Sequence, residues 1–179
     1  MTFDEEDNEA IAQSEVVSTA AKFLHAFYNG ELVRAWDVVH PQLRLCWVQW
    51  WATANKDALR RSGYELVATA EEIARSTPTE HPLWTDFERV LLRDFRNAYP
   101  LSLATSGIGA ATRVIALDTE LLYIHAEIPP GGVWEENAAS FVYPMVMQLH
   151  GSRWTVLNWA SDVIPTPGYP PTLSGGPSG

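Results

Sequence analysis

Four of the chain's eight tryptophans, Trp36, Trp47, Trp50 and Trp51, fall between positions 36 and 51. Large flat rings at that density either wall an apolar pocket for a hydrophobic or aromatic ligand or fill the space between helices and a sheet. A pocket also needs convergent polar groups. His125 shares a strand face with Tyr123 and Glu127. On a concave sheet face these three would hold a polar ligand or move a proton, and on an outer face they would be ordinary surface residues. His40 precedes Pro41 at the end of a short helix. It belongs either at a pocket mouth or as the cap of the next helix, with Pro41 at its first position. Tyr143 adds a phenol, and Asp162 follows the last strand. Asp162 is either a carboxylate kept in an apolar site or a turn residue bonded to its own backbone. The candidate ligand-binding set is therefore Trp36, His40, Trp47, Trp50, Tyr123, His125, Tyr143 and Asp162.

Other chemistries lack their residues. The five histidines show no metal-ligand spacing, and the single cysteine, Cys46, excludes an internal disulfide and any multi-cysteine metal site. His81 and His150 fall in loops and read as solvated. No Ser-His-Asp or Cys-His arrangement follows from spacing. Ser106-Gly107-Ile108-Gly109-Ala110-Ala111 resembles part of a dinucleotide loop but leads into a strand, so it reads as a flexible connection. Arg89, Arg93 and Arg96 share a helix face with Asp86 and Asp94 close by, which predicts an exposed, salt-bridged surface. No metal and no cofactor is expected.

The elements that must position these groups change character midway. Ser14 is placed to cap a helix that ends before Gly30, with Val17, Ala20, Ala21, Leu24, Phe27 and Tyr28 at helical spacing. Leu32, Ala35, Trp36 and Val39 share the face of a second helix, stopped by Pro41. Gln42–Arg61 is apolar on both sides, which marks a buried helix or one facing a pocket or partner, although Leu43–Trp51 alone also fits a strand. Glu65–Ser76 and Leu83–Ala98 are further helices.

From Thr112 the period becomes two. Thr112–Leu117, Glu120–Ile128, Ala139–Leu149 and Arg153–Ala160 read as strands, joined by tight turns at Asp118–Thr119 and His150–Ser152. Leu122, Ile124, Ala126 and Ile128 oppose Leu121, Tyr123, His125 and Glu127, and Phe141, Tyr143, Met145, Met147 and Leu149 share one face. Pro144 inside a strand predicts an edge or a bulge. The expected architecture is α+β, with N-terminal helices packed on a curved antiparallel sheet.

The composition bounds partners and place. Twelve Lys/Arg against 22 Asp/Glu give a net charge of −10, which argues against nucleic acid and anionic membranes. Residues 1–14 read as an acidic flexible arm, residues 15–164 as one domain, and residues 165–179 as a Pro/Gly-rich tail in which Tyr169 offers an anchor. No basic, apolar leader and no membrane span is read, so the expected location is cytoplasmic.

Phe27-Tyr28-Asn29-Gly30-Glu31 followed by Ala35-Trp36-Asp37-Val38-Val39-His40-Pro41 resembles the opening of the nuclear-transport-factor-2-like (SnoaL-like) superfamily. Gly151-Ser152-Arg153-Trp154-Thr155-Val156 looks like that superfamily's final strand. The tail Ile164–Pro171 is similar to the ends of its actinobacterial members, which implies a bacterial protein. The resemblance covers residues 14–171 loosely. It implies a cone-shaped, cystatin-like fold, and members include isomerases, dehydratases, cyclases and non-catalytic binding or dimerising domains. Enzymes of the superfamily place an acid or His where this chain has Leu43–Trp51, and this segment supplies no carboxylate. The expectation is a domain binding a small hydrophobic molecule, a dimerisation module, or both. The rival is a small cofactor-independent enzyme using His40, His125, Tyr143 or Asp162. A homodimer through the outer sheet face is expected, because the long strands are apolar on both faces.

Overall fold

Gly30 ends the first helix for a backbone reason. In a computed structural model, which describes residues 14–75, 80–126 and 142–173, α1 spans Glu15–Asn29 and Gly30 follows at φ 85°. The Glu31 amide then donates to the Ala26 carbonyl, closing the helix in the left-handed turn that glycine enters without steric cost. Ser14 occupies the cap position without a side-chain hydrogen bond.

The second helix is shorter than expected. α2 is Leu32–Trp36, and Val39 leaves it to pair with Val156. Pro41 starts the next helix, α3 (Pro41–Ala54), and His40 caps it by accepting the Gln42 amide at Nδ1, 3.1 Å away. α4 (Lys56–Arg61) continues beyond Asn55, followed by α5 (Leu66–Arg75) and α6 (Trp84–Ala98). The all-round apolarity of α3 is explained by burial of Leu43, Cys46, Trp47, Val48, Gln49, Trp51 and Ala52.

The sheet is an unclosed antiparallel meander of β1 (Ser106–Ala116), β2 (Thr119–Ala126), β3 (Val142–His150) and β4 (Arg153–Trp159), in that spatial order. Ser106–Ala111 is thus part of a strand rather than a flexible connection. Gly107 and Gly109 pair opposite His125 and Tyr123, and a side chain on Gly109 would meet the His125 ring at 3.6 Å. The tight turns fall at Leu117–Asp118 and at Gly151–Ser152, where Gly151 adopts φ 65°. Pro144 lies beyond the last β3–β4 pair, Met145 with Trp159, so it is an edge position on that side. The irregular pairings sit elsewhere: a bulge in β4, where pairing jumps from Val156 to Asn158, and register shifts in β1 between Ala110 and Ala116.

Helices cover one sheet face. Leu122, Ile124, Met145, Met147, Val156 and Trp159 join Phe23, Phe27, Trp36 and Trp47 in the main core. On the other face Leu121, Val146 and Leu157 form a separate cluster, exposed by 3% or less within the single chain. Burial of these three needs no second copy, and Leu121 and Val146 belong to the two-faced apolarity behind the expected dimer. Tyr123 and Val142 stay exposed there.

The tail packs on the body through Leu173, past the expected boundary at 164. Buried Pro165 offers its carbonyl to the Gln42 amide, and buried Gln49 accepts the Gly168 amide at 2.9 Å. Tyr169, the expected anchor, is 37% exposed. The acidic arm before Ser14, Glu127, Ile128, residues 139–141 and residues 174–179 lie outside the described residues.

Candidate functional site

Where the helices and sheet part at one end of the molecule, a cleft of about 220 Å³ opens. Trp50 on α3 forms one wall. Asp94, Phe95 and Ala98 in the last turns of α6, with Tyr99 just beyond, form a second. The end of β4, Asn158 and Trp159, and the tail residue Leu173 close the third.

The walls are held by hydrogen bonds to backbone carbonyls. Tyr28 at the end of α1 donates to the Tyr99 carbonyl at 2.6 Å, and Tyr143 on β3 donates to the Pro100 carbonyl at 3.2 Å. Both phenols pack edge-on against Trp159, with ring centroids 6.2 and 5.8 Å away. Tyr99 stands 5.7 Å from Phe95 and 5.8 Å from Tyr143. Burial pushes the Tyr28 phenol well above its usual range, and the neighbouring Trp159 indole only partly opposes that. Tyr28 therefore stays a neutral donor. The Trp159 Nε1–H is buried and completes no hydrogen bond of good geometry among the described residues.

Asn158 anchors the third wall. It lies in the β4 bulge, 2% exposed, and its Nδ2 donates to the Val163 carbonyl at 2.7 Å and the Leu173 carbonyl at 2.9 Å. Its Oδ1 accepts the Trp159 amide. One side chain thus ties both ends of the tail loop to the sheet, while Thr166 and Thr172 pair within it.

The tryptophan-rich segment divides between core and site. Trp36 and Trp47 are 1% and 0% exposed, inside a mesh of rings with Trp84, Phe87, Phe23 and Phe27. Trp50, half-buried, is the member that reaches the cleft. Tyr143 stands behind Trp159 and Tyr99. Tyr123 and His125 alternate with Leu122 and Ile124 and so occupy the opposite sheet face, away from this cleft. Asp162 is exposed in the turn after β4.

His40 sits at the other end of β4. Its ring meets His150 edge to face, and its amide donates to the Val156 carbonyl at 2.9 Å. Burial first, then the fields of His150 and Arg44, lower its pKa to about 4. The imidazole is therefore a neutral helix cap. Contrary to expectation, the His81 side chain is only 8% exposed: Nδ1 accepts the Leu83 amide and Nε2 lies 3.5 Å from Glu72. Arg89 and Arg93 pair with Asp86 and Asp94 as expected, but Arg96 turns inward to the Phe27 carbonyl.

A second groove, about 530 Å³, runs between α3, α5 and Pro167. Among the described residues it has no aromatic wall, and its charged groups are engaged: Arg75 with Glu71 at 2.8 Å, and Arg44 Nε with the Val39 carbonyl. Burial holds the Cys46 thiol up at about 12, far from the thiolate a nucleophile needs. Among the described residues no His/Cys/Asp/Glu group is placed to hold a metal ion, and no helix is long and apolar enough to cross a membrane.

Sequence reasoning missed Tyr28, Asp94, Tyr99, Asn158, Trp159 and Leu173. Aromatic residues just inside or beyond helix ends were the available signal for Tyr28 and Tyr99. No family model, no curated protein and no solved structure matches the chain.

Proposed function

We propose that this chain is an NTF2-like domain that binds one small apolar or aromatic molecule in the cleft between Trp50, Tyr99 and Trp159. The observation that carries the reading is the cleft itself: about 220 Å³, walled by four aromatic residues and closed by a tail segment fastened through buried amides. An apolar cavity of roughly 150 Å³ already holds a benzene ring, so this space suits a ligand of one ring. The two opening helices ahead of an antiparallel sheet support the superfamily reading, and α3 departs from it, standing where the superfamily's enzymes carry a strand. The enzymatic alternative uses His40, His125, Tyr143 or Asp162, and none of the four lines this cleft.

The test is a cleft-filling variant. Ala98 is exposed on the last turn of α6, so Ala98→Phe occupies the cleft without disturbing the core. Titration calorimetry with benzyl alcohol, benzylamine and choline is expected to show saturable binding by the native chain and none by Ala98→Phe. If none of these probes binds the native chain, or if Ala98→Phe binds them as well, the cleft is not the site.

A further inference from the structure

We propose that the ligand of this cleft is an organic cation, a protonated or quaternary amine carried on a small apolar group. The inference rests on the binding reading above and specifies its chemistry. Trp50, Phe95, Tyr99 and Trp159 present four π systems around one small space, and a cation is drawn to the negative face of such rings. Among the described residues the one charged side chain in the lining is a carboxylate, Asp94, with no Lys, Arg or His beside it. Asp94 Oδ1 accepts from Arg93 Nε at 2.6 Å, and Oδ2 has no hydrogen-bond partner among the described residues. Arg93 is 57% exposed and does not line the cleft. A solvent-exposed pair of this kind is held weakly, so Asp94 is free to face a cation in the cleft.

An anion would find the opposite. The Asn158 amide spends its Nδ2 protons on the Val163 and Leu173 carbonyls, and Tyr28 and Tyr143 spend their hydroxyl protons on Tyr99 and Pro100. The Asn158 amide and both phenols are thus committed, the Trp159 indole N–H is the buried donor left over in the lining among the described residues, and Asp94 repels negative charge. The chain's net charge of −10 adds a field that concentrates cations and excludes anions at its surface.

The experiment compares isosteres on the full chain. Choline is titrated against its uncharged carbon isostere, and benzylamine against benzyl alcohol, in the native protein and in Asp94→Asn. Asp94 is paired at the surface, so the variant is expected to keep the native circular dichroism spectrum and denaturant midpoint. The expected result is that each cation binds roughly tenfold tighter than its neutral partner, and that Asp94→Asn loses most of that preference. Neutral isosteres that bind as tightly as the cations, in a site that Ala98→Phe still blocks, would overturn the cation assignment and leave the cleft reading standing. A cation preference that survives Asp94→Asn intact would also overturn it. No binding by any probe would overturn both.

Discussion

The imidazoles of His40 and His150 meet edge to face with their centroids 4.8 Å apart, at the point where α3 begins against the β3–β4 hairpin. Nδ1 of His40 is spent accepting the Gln42 amide, so the cap requires a neutral ring. The groups facing it are His150 and Arg44, both of which oppose a proton on His40. Its pKa falls from 6.5 unfolded to about 4 folded, so the unfolded chain binds the proton more readily. The stability this provides is present above pH 6.5 and is lost as pH falls toward 4. Urea midpoints measured across that window are expected to fall by the equivalent of roughly 1–2 kcal/mol. His40→Asn keeps an acceptor at the cap without titrating, and is expected to flatten that slope. An unchanged slope would show that other groups carry the pH dependence.

Gly30 holds φ 85°, and a Cβ there would stand 3.0 Å from Nη2 of Arg96, the atom that donates to the Phe27 carbonyl. Gly30→Ala therefore strains the backbone and displaces a half-buried guanidinium together. A destabilisation of about 1–2 kcal/mol is expected by thermal or denaturant unfolding. A neutral or stabilising result would show that the loop between α1 and α2 relaxes freely.

Asn158 makes three hydrogen bonds from a buried position in the β4 bulge. Asn158→Leu keeps the approximate volume and leaves the Val163 and Leu173 carbonyls and the Trp159 amide without that partner. The expected loss is about 2–3 kcal/mol, accompanied by faster proteolysis within residues 161–173. Cleavage at the native rate would mean that Gln42 and Gln49 suffice to hold the tail.

Trp36 is 1% exposed, with Trp84 at 4.9 Å, Phe87 at 5.8 Å and the Arg44 guanidinium over its ring at 5.5 Å. Trp36→Ala is expected to cost about 3–5 kcal/mol. A midpoint shift equivalent to less than about 1 kcal/mol would mean that the surrounding rings collapse into the space.

Local chemistry was legible in the sequence. Gly30 and Gly151 marked a helix end and a hairpin, because only a residue without Cβ enters those conformations cheaply. Pro41 and His40 carried a helix start within one dipeptide, although the same Pro equally suggested a helix stop. The change of period separated helices from sheet but placed the start at Thr112, inside β1, and alternation sorted Leu122 and Ile124 from Leu121 and Tyr123. Three-dimensional packing decided the rest. Trp47 and Trp50 share one helix that is apolar all round, so periodicity gave them no distinct faces, and only the placement of α6, β4 and the tail made one a core ring and the other a wall. Asn158 reads as an ordinary polar residue until the bulge turns it toward the carbonyls of Val163 nearby and Leu173 at the far end of the tail loop. The cleft joins α3, α6, β4 and residue 173, and a surface made by distant segments has no period or spacing along the chain to announce it.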